Sequence, residues 1–322
     1  MKLPRRQFLH LAAAAATLPA ISGIVRAQSY PTRPVRIVTS FPAGNVDDLL
    51  ARLIGQSLSA RLGQPFVLDN QPISKAIEAI VSALPDGHTL FLVTAANVIR
   101  TILDEKLNFH FVRDVAPVAG ISRNPFVLVV NPSVPTKTIP EFIAYANSEP
   151  GKLNMASGGT GALAHLAGEL FEIMTHVKMV HAPYDGAVPA VSAVLNGQAQ
   201  LMFATMPSAI QQIRADKLRA LAVTGAMRSQ ILPDIPTVSD FVPSYEASGF
   251  QGICAPKNTP TDVIDKLSKE INAALADPKF KEHLGEFGNT LLAGSTAEYG
   301  KTIANETEKW TKVIRAANIT LG

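Results

Sequence analysis

The sequence predicts an α/β protein in two lobes, and three observations carry that expectation. Short apolar runs of strand length alternate with amphipathic helical stretches along the 322 residues. No repeat, charge run or low-complexity linker interrupts the alternation. Two strand-like segments, near 124–132 and 249–256, stand where the chain would cross between lobes, and two crossing strands make a natural hinge. The division that follows is a discontinuous first domain, 28–125 plus 251–322, with a second domain, 126–250, inserted into it.

Taken in order, Pro34-Val35-Arg36-Ile37-Val38-Thr39 reads as a strand and Phe41-Pro42-Ala43-Gly44-Asn45 as a tight turn. From Val46 to Leu62 the residues Leu49, Leu50, Leu53, Ile54 and Leu58 recur at helical spacing, and Gly63 ends the helix. Phe66 to Asp69 is a second strand, followed by a short helix over 75–84. Pro85-Asp86-Gly87 then turns the chain into a buried strand over 89–93. Phe126 to Val130 is apolar throughout. Thr138-Ile139-Pro140-Glu141 supplies an N-cap threonine, an early proline and the glutamate of a capping box for a helix reaching about Ser148. A strand over 153–156 leads through Ser157-Gly158-Gly159-Thr160-Gly161 into a helix ending near Met174. Strand 178–180 runs into His181-Ala182-Pro183-Tyr184, then come helix 188–195 and strands 201–203 and 218–223. Beyond Pro260 the chain is mostly helical, over 260–276, from Pro278, and over 295–315. Alternation of this kind predicts a mainly parallel sheet.

Composition narrows the function. The chain is 47% hydrophobic and 17% charged, enough apolar material for sizeable cores and too little charge for disorder. Aromatics make up 6%, too few for base-stacking platforms. The net charge of +3 belongs to the first 27 residues: they hold Lys2, Arg5, Arg6 and Arg26 and no acid, and without them the balance is −1. No basic run remains for a nucleic-acid partner.

Residues 1–27 have the order of an export signal. Arg5-Arg6-Gln7-Phe8-Leu9 precedes an alanine-rich apolar stretch and a small-x-small site at Val25-Arg26-Ala27. The paired arginines before Phe-Leu resemble a twin-arginine signal, while Pro4 leaves the general secretory route open. The apolar stretch is too short to span a bilayer, and no later segment approaches a span, so the mature chain is expected outside the cytoplasm without membrane insertion. The one cysteine, Cys254, sits in an apolar run and reads as a buried, inert thiol.

In open α/β sheets ligands bind beyond the carboxyl ends of strands, where helix N-termini offer free N–H groups and positive dipole ends. Two turns fit: Phe41 to Asn45 in one lobe and Ser157 to Gly161 in the other. Facing each other, they would hold two carboxylates of one ligand. Ordinary strand-to-helix turns use the same glycines for steric reasons alone.

Further residues give these turns a context. Tyr30-Pro31-x-Arg33-Pro34-Val35-Arg36-Ile37-Val38, Phe41-Pro42-x-Gly44, Asp48-Leu49-Leu50-Ala51-Arg52, Leu62-Gly63-Gln64-Pro65 and Pro85-Asp86-Gly87-His88-Thr89-Leu90 occur in sequence. Val130-Asn131-Pro132-Ser133-Val134-Pro135, Pro150-Gly151-Lys152-Leu153-Asn154, His165-Leu166-Ala167-Gly168-Glu169 and Pro183-Tyr184-x-Gly186 follow. Together with Lys217 to Thr224 and Leu232 to Val238, they resemble the tripartite tricarboxylate transporter substrate-binding family, the Bug or TctC-like receptors, over essentially the whole mature chain.

The resemblance implies a type II, Venus-flytrap periplasmic-binding-protein fold, a monomer with no cofactor that is not an enzyme. It would take a small organic carboxylate and deliver it to membrane transporter subunits. By position, Phe41, Gly44, Asn45 and Asp48 would form one wall of the site, and Ser157, Gly158, Thr160, Gly161 and His165 the other. Thr94, Ala95, Tyr184 and Thr205 would line the cleft. The chain departs from the family at Asn45, where a second glycine is usual, and over Asn70 to Lys75, which lacks the usual glycines. It also has Asp185 where a basic residue is frequent, and Gln200 and Ala204 where acids are. These changes suit a ligand with less negative charge, or are neutral drift at a solvated rim.

Two other function classes have some support. Gly159-Thr160-Gly161-Ala162-Leu163-Ala164, with Asp185 beyond it, matches a dinucleotide fingerprint and suggests an exported cofactor enzyme. No catalytic constellation accompanies it: there is no G-x-S-x-G elbow, Ser157 and His165 have no orienting carboxylate identified by spacing, and His165, His176 and His181 match no metal pattern. A binding module that signals to a sensor protein would use the same closure as a transport receptor.

Overall fold

β1 (Val35–Thr39) shows how the sheet is buried on both faces. Val35 and Ile37 point into one core and Val38 into another, all fully buried. Strands covered on both sides read as continuous apolar runs, which is why period-2 alternation is missing from the sequence. The computed structural model describes residues 30–320 apart from Pro42 and Asn45, and apart from the side chains of Val46 and Glu105. The expected export signal and the site residue Asn45 therefore lie outside the described residues.

The first lobe starts with β1, α1 (Val46–Leu62), β2 (Phe66–Asn70), α2 (Ile73–Val81), β3 (Thr89–Thr94), α3 (Ala95–Leu103) and the short α4 (Phe111–Asp114). β1 pairs in parallel with β2 and β3. Leu50, Ile54 and Leu58 of α1 are fully buried, but Leu49 is 44% exposed, so the apolar stripe is narrower than the sequence predicts. Gly63 ends α1 at φ +75°.

β4 (Val115–Val130) then crosses the molecule. The second lobe contains α5 (Ile139–Ser148), β5 (Asn154–Ser157), α6 (Leu163–Thr175), β6 (Val180–Pro183) and α7 (Ala187–Leu195). It continues with β7 (Leu201–Thr205), α8 (Met206–Arg214) and β8 (Arg219–Val223). β5 pairs in parallel with β6 and β7. β9 (Ser248–Pro256) returns antiparallel to β4. It is followed by α9 (Thr261–Leu275), α10 (Pro278–Glu286), β10 (Thr290–Leu291) and α11 (Thr296–Ala316).

The described strands form one ten-stranded sheet in the order β2-β1-β3-β9-β4-β7-β5-β6, with β8 and β10 also paired to β4. Along 115–125 β4 pairs with β9, and along 126–130 it pairs with β7 and β8. The sheet is mixed, correcting the mainly parallel expectation: both crossing strands run antiparallel to the strands they join. α3, α8 and the first half of β4 are additional to the elements read from sequence. Two lobes linked by crossing strands make this the periplasmic-binding-protein fold.

α11 ties the lobes from outside. Tyr299 and Ile303 pack into a first-lobe core, and Trp310, Val313 and Ile314 into a second-lobe core around Leu166, Phe171 and Phe203. Trp310 is fully buried and its indole N–H donates to Glu306 Oε2 at 2.9 Å, the packing role expected for it. Among the described residues no helix is long and apolar enough to cross a membrane.

Candidate functional site

The turn after β1 is fixed from behind by Asp48. Its carboxylate accepts the Gly44 N–H at 2.9 Å, the Arg52 guanidinium at 2.8 and 3.2 Å, and the Asn70 amide at 3.0 Å. Asn70 Nδ2 also donates to the Phe41 carbonyl at 2.9 Å. Asp48 is 2% exposed. Burial alone would raise its pKa, but the Arg52, Gly44 and Asn70 hydrogen bonds outweigh burial and hold it below the usual carboxylate range. Asp48 thus shapes the turn, which needs Gly44 at φ +90°, and does not itself line the cleft.

The second turn has a comparable support. Ser157 is fully buried; its hydroxyl lies 2.6 Å from His181 Nε2, donates to the Gly159 carbonyl at 3.0 Å and accepts the Gly159 N–H at 3.2 Å. His165 Nδ1 accepts the Gly161 N–H at 3.1 Å, so Nε2 carries the proton that points to Glu169 Oε1, also at 3.1 Å. His165 and His181 stack with ring centroids 3.5 Å apart. Burial, then the neighbouring His165, pushes His181 down to about 4, which keeps its ring neutral. Gly158 packs so closely that an added Cβ would stand 3.2 Å from the Gly186 carbonyl carbon. Tyr184 donates its N–H to the Ser157 carbonyl at 2.9 Å and packs its ring against the second-lobe core, while Thr160 is exposed.

Between the lobes lies a cleft of about 430 Å³. Its walls are helix starts: Asp47 of α1, Thr94, Ala95 and Ala96 of α3, Leu163 of α6, Ala187 of α7, and Thr205 to Pro207 of α8. Its floor is where β4 and β9 cross, at Asn124 to Phe126 and at Gly249 and Phe250. Asn289 enters from the turn before β10, and its buried Nδ2 has no hydrogen-bond partner among the described residues.

Each helix start leaves backbone N–H groups without intrahelical acceptors and carries a partial positive charge. At α3 the Thr94 hydroxyl caps the Asn97 N–H at 3.3 Å, and Asn97 in turn binds Ser40 at the end of β1. Among the described residues no Lys or Arg side chain lines the cleft, so the positive charge available to a ligand there is that of the helix starts. A slightly larger groove, about 460 Å³, runs between α6 and α11; it presents helix flanks such as Leu170, Ile173 and Val313, and its lysines, Lys309 and Lys312, are paired to Glu246, Glu306 and Glu308.

Of the expected site residues, Thr94, Ala95 and Thr205 line this cleft directly. Phe41, Gly44, Asp48, Ser157, Gly158, Thr160, Gly161, His165 and Tyr184 lie on the two turns or support them. Asp47, Asn124, Phe126, Phe250 and Asn289 also line it, and the sequence did not single them out. Among the described residues no group of His, Cys, Asp or Glu is arranged to hold a metal ion.

The sequence profile described as the tripartite tricarboxylate transporter family receptor matches residues 50–319. The protein BugT of Bordetella pertussis is 31% identical over 301 residues, covering 92% of each chain. The structure of Rpa4515 from R. palustris with adipate superposes with TM-score 0.74 at 31% identity, covering 90% of this chain and 99% of that one. MatC (Rpa3494) from Rhodopseudomonas palustris with bound malate gives TM-score 0.71 at 27% identity, covering 88% and 100%. The chain belongs to the tripartite tricarboxylate transporter receptor family, whose members are periplasmic solute-binding proteins and not enzymes.

Proposed function

We propose that this receptor captures a small organic carboxylate in the cleft between its lobes and presents it to a tripartite tricarboxylate-type membrane transporter. The observation that carries this reading is the convergence of the α3, α6, α7 and α8 starts on one cleft with no basic side chain among the described residues. Backbone N–H groups at opposed helix starts favour a compact oxyanion, and desolvating it in a closed cleft strengthens each contact. The relatives solved with adipate and malate support the same ligand class.

In this reading the lobes are residues 28–125 plus 251–322 and residues 126–250, and the strand crossing at Asn124–Phe126 and Gly249–Phe250 acts as the hinge. The turns at Phe41–Asn45 and Ser157–Gly161 close over the ligand from the two sides. The leader, with its paired arginines, directs export, and the mature chain works as a monomer.

A thermal-shift screen of the mature chain tests the proposal, using malate, succinate, glutarate, adipate, citrate and nicotinamide nucleotides. Ligand at 100 times its dissociation constant adds about 2.7 kcal/mol of stability. Saturable stabilisation by a carboxylate is the expected result. Stabilisation by a nucleotide alone would replace this reading with the cofactor-enzyme one.

A further inference from the structure

Among the described residues the cleft holds one ionisable side chain, Asp47, and it is an acid in a site otherwise built for anions. Its position in the first turn of α1 gives it an ordinary explanation, a favourable interaction with the helix dipole. Asp48, one residue on, already accepts the turn's N–H group and faces Arg52, so Asp47 is not needed for that task. Asp47 instead faces β9, where Gln251 Nε2 donates to its Oδ1 at 3.0 Å.

Among the described residues Asp47 forms no ion pair. Gln251 on β9 donates to it, and the start of α3 at Thr94 to Ala96 and Asn124 on β4 line the same cleft, none of them charged; on its own helix the next residue, Asp48, is paired to Arg52. Gln251 is fully buried, and its Oε1, on the same amide as the donor to Asp47, has no hydrogen-bond partner among the described residues. The Asp47–Gln251 pair therefore retains unused acceptor capacity beside the cleft, and no cation among the described residues satisfies it.

We propose that Asp47 is a specificity-determining residue that receives a protonated amine, so that the preferred ligand carries an ammonium group as well as a carboxylate. The inference rests on the carboxylate reading of the cleft. The helix starts take the carboxylate, and Asp47 takes the ammonium. A ligand bearing only carboxylates meets the same helix starts but is repelled by a fixed negative charge in a partly desolvated space. Burial raises Asp47 to about 6, so it is ionised at neutral pH and becomes neutral in mild acid.

The test uses matched pairs that differ by one amine: L-glutamate against glutarate, L-aspartate against succinate, and 4-aminobutyrate against butyrate. Dissociation constants are measured by calorimetry at pH 7.5 on the wild-type chain and on Asp47→Asn. Wild type is expected to prefer the amine-bearing member of at least one pair tenfold or more. Asp47→Asn should reduce that preference at least tenfold, weakening binding of the amine-bearing member and strengthening that of the plain acid. Lowering the pH from 7.5 to 6 should strengthen binding of the plain acid to wild type and leave Asp47→Asn unmoved.

A wild-type preference for the plain acids, or for malate over every amine, overturns the role of Asp47 and leaves carboxylate capture standing. Binding of neither member of any pair, nor of any other carboxylate, removes the underlying reading as well. Should Asp47→Asn fail to fold, the wild-type ratios and their pH dependence decide the matter alone.

Discussion

His165 holds the Gly161 N–H through Nδ1 at 3.1 Å while its ring lies flat on His181, the two centroids 3.5 Å apart. One side chain, 4% exposed, thus fixes both the backbone of the second turn and the ring that binds Ser157. These contacts hold the turn without a ligand, and a turn held in advance lowers the ordering cost of binding.

His165→Ala removes the acceptor for Gly161 and the stacking partner of His181. Carboxylate affinity is expected to fall about tenfold, with a loss of about 1–3 kcal/mol in stability from the buried groups left unpaired. His165→Asn, which can offer an oxygen to the Gly161 N–H, should recover part of the affinity. Calorimetry and urea unfolding of both variants measure the two effects. Affinity unchanged in His165→Ala would show that the turn does not need this support.

Asp48→Asn keeps the shape of the side chain and removes its charge. The Arg52 pair, the Gly44 contact and the Asn70 contact all weaken, and a buried, multiply bonded carboxylate typically costs about 2–4 kcal/mol to replace. The midpoint of urea unfolding should drop accordingly, and ligand affinity should fall with it because the first turn loses its anchor. Stability within about 0.5 kcal/mol of wild type would contradict this account.

Gly168 lies inside α6, where a Cβ would stand 2.0 Å from Met155 Sδ and 2.4 Å from its Cε. Helix propensity alone favours alanine there. Overpacking should reverse the sign, making Gly168→Ala about 1–3 kcal/mol less stable. Because the clash is with a flexible side chain, shortening that side chain should relieve it. The double variant Gly168→Ala with Met155→Val is expected to be more stable than the sum of the single changes, a coupling that a double-mutant cycle reads directly.

Glu172 and His181 pull stability in opposite directions with pH. Burial, then the nearby Glu169, raises Glu172 to about 7, so its contribution is present below about pH 4.5 and is lost as the pH rises through 7. His181, depressed to about 4, contributes stability that is present above about pH 6.5 and is lost as the pH falls toward 4. Glu172→Gln mimics the protonated acid and can still accept the Met179 N–H. It should be more stable than wild type above pH 7, by on the order of 1 kcal/mol after solvent screening, with the difference vanishing near pH 4.5. Denaturant midpoints at pH 4.5, 6 and 8 check the sign.

The two-lobed α/β class and the two glycine turns were legible in the residues alone. Alternating apolar runs and helical stripes located β1, α1, β3, α5, α6 and α11, because burial on both sheet faces and on one helix face is written locally in the choice of residues. Gly44, Gly159 and Gly161 marked turns that need positive φ, which few other residues supply. α3 and α8 were not legible, since each starts directly from the strand before it without a break, and tertiary packing decides where strand becomes helix. The first half of β4 was hidden for a related reason. Its residues, among them Ala116, Pro117, Gly120 and Asn124, have weak strand propensity and are held by pairing with a β9 segment more than 120 residues away in the chain.

The site divides in the same way. The turns announced themselves through their glycines, whereas most residues that line the cleft did not. The sequence shows two adjacent acids, Asp47 and Asp48; the four-residue spacing to Arg52 marks Asp48 as its partner, but nothing local says that Asp47 faces the cleft. Consecutive residues on a helix point about 100° apart, and only the packing of α1 against β9 and the β1–α1 turn decides which of them meets a ligand.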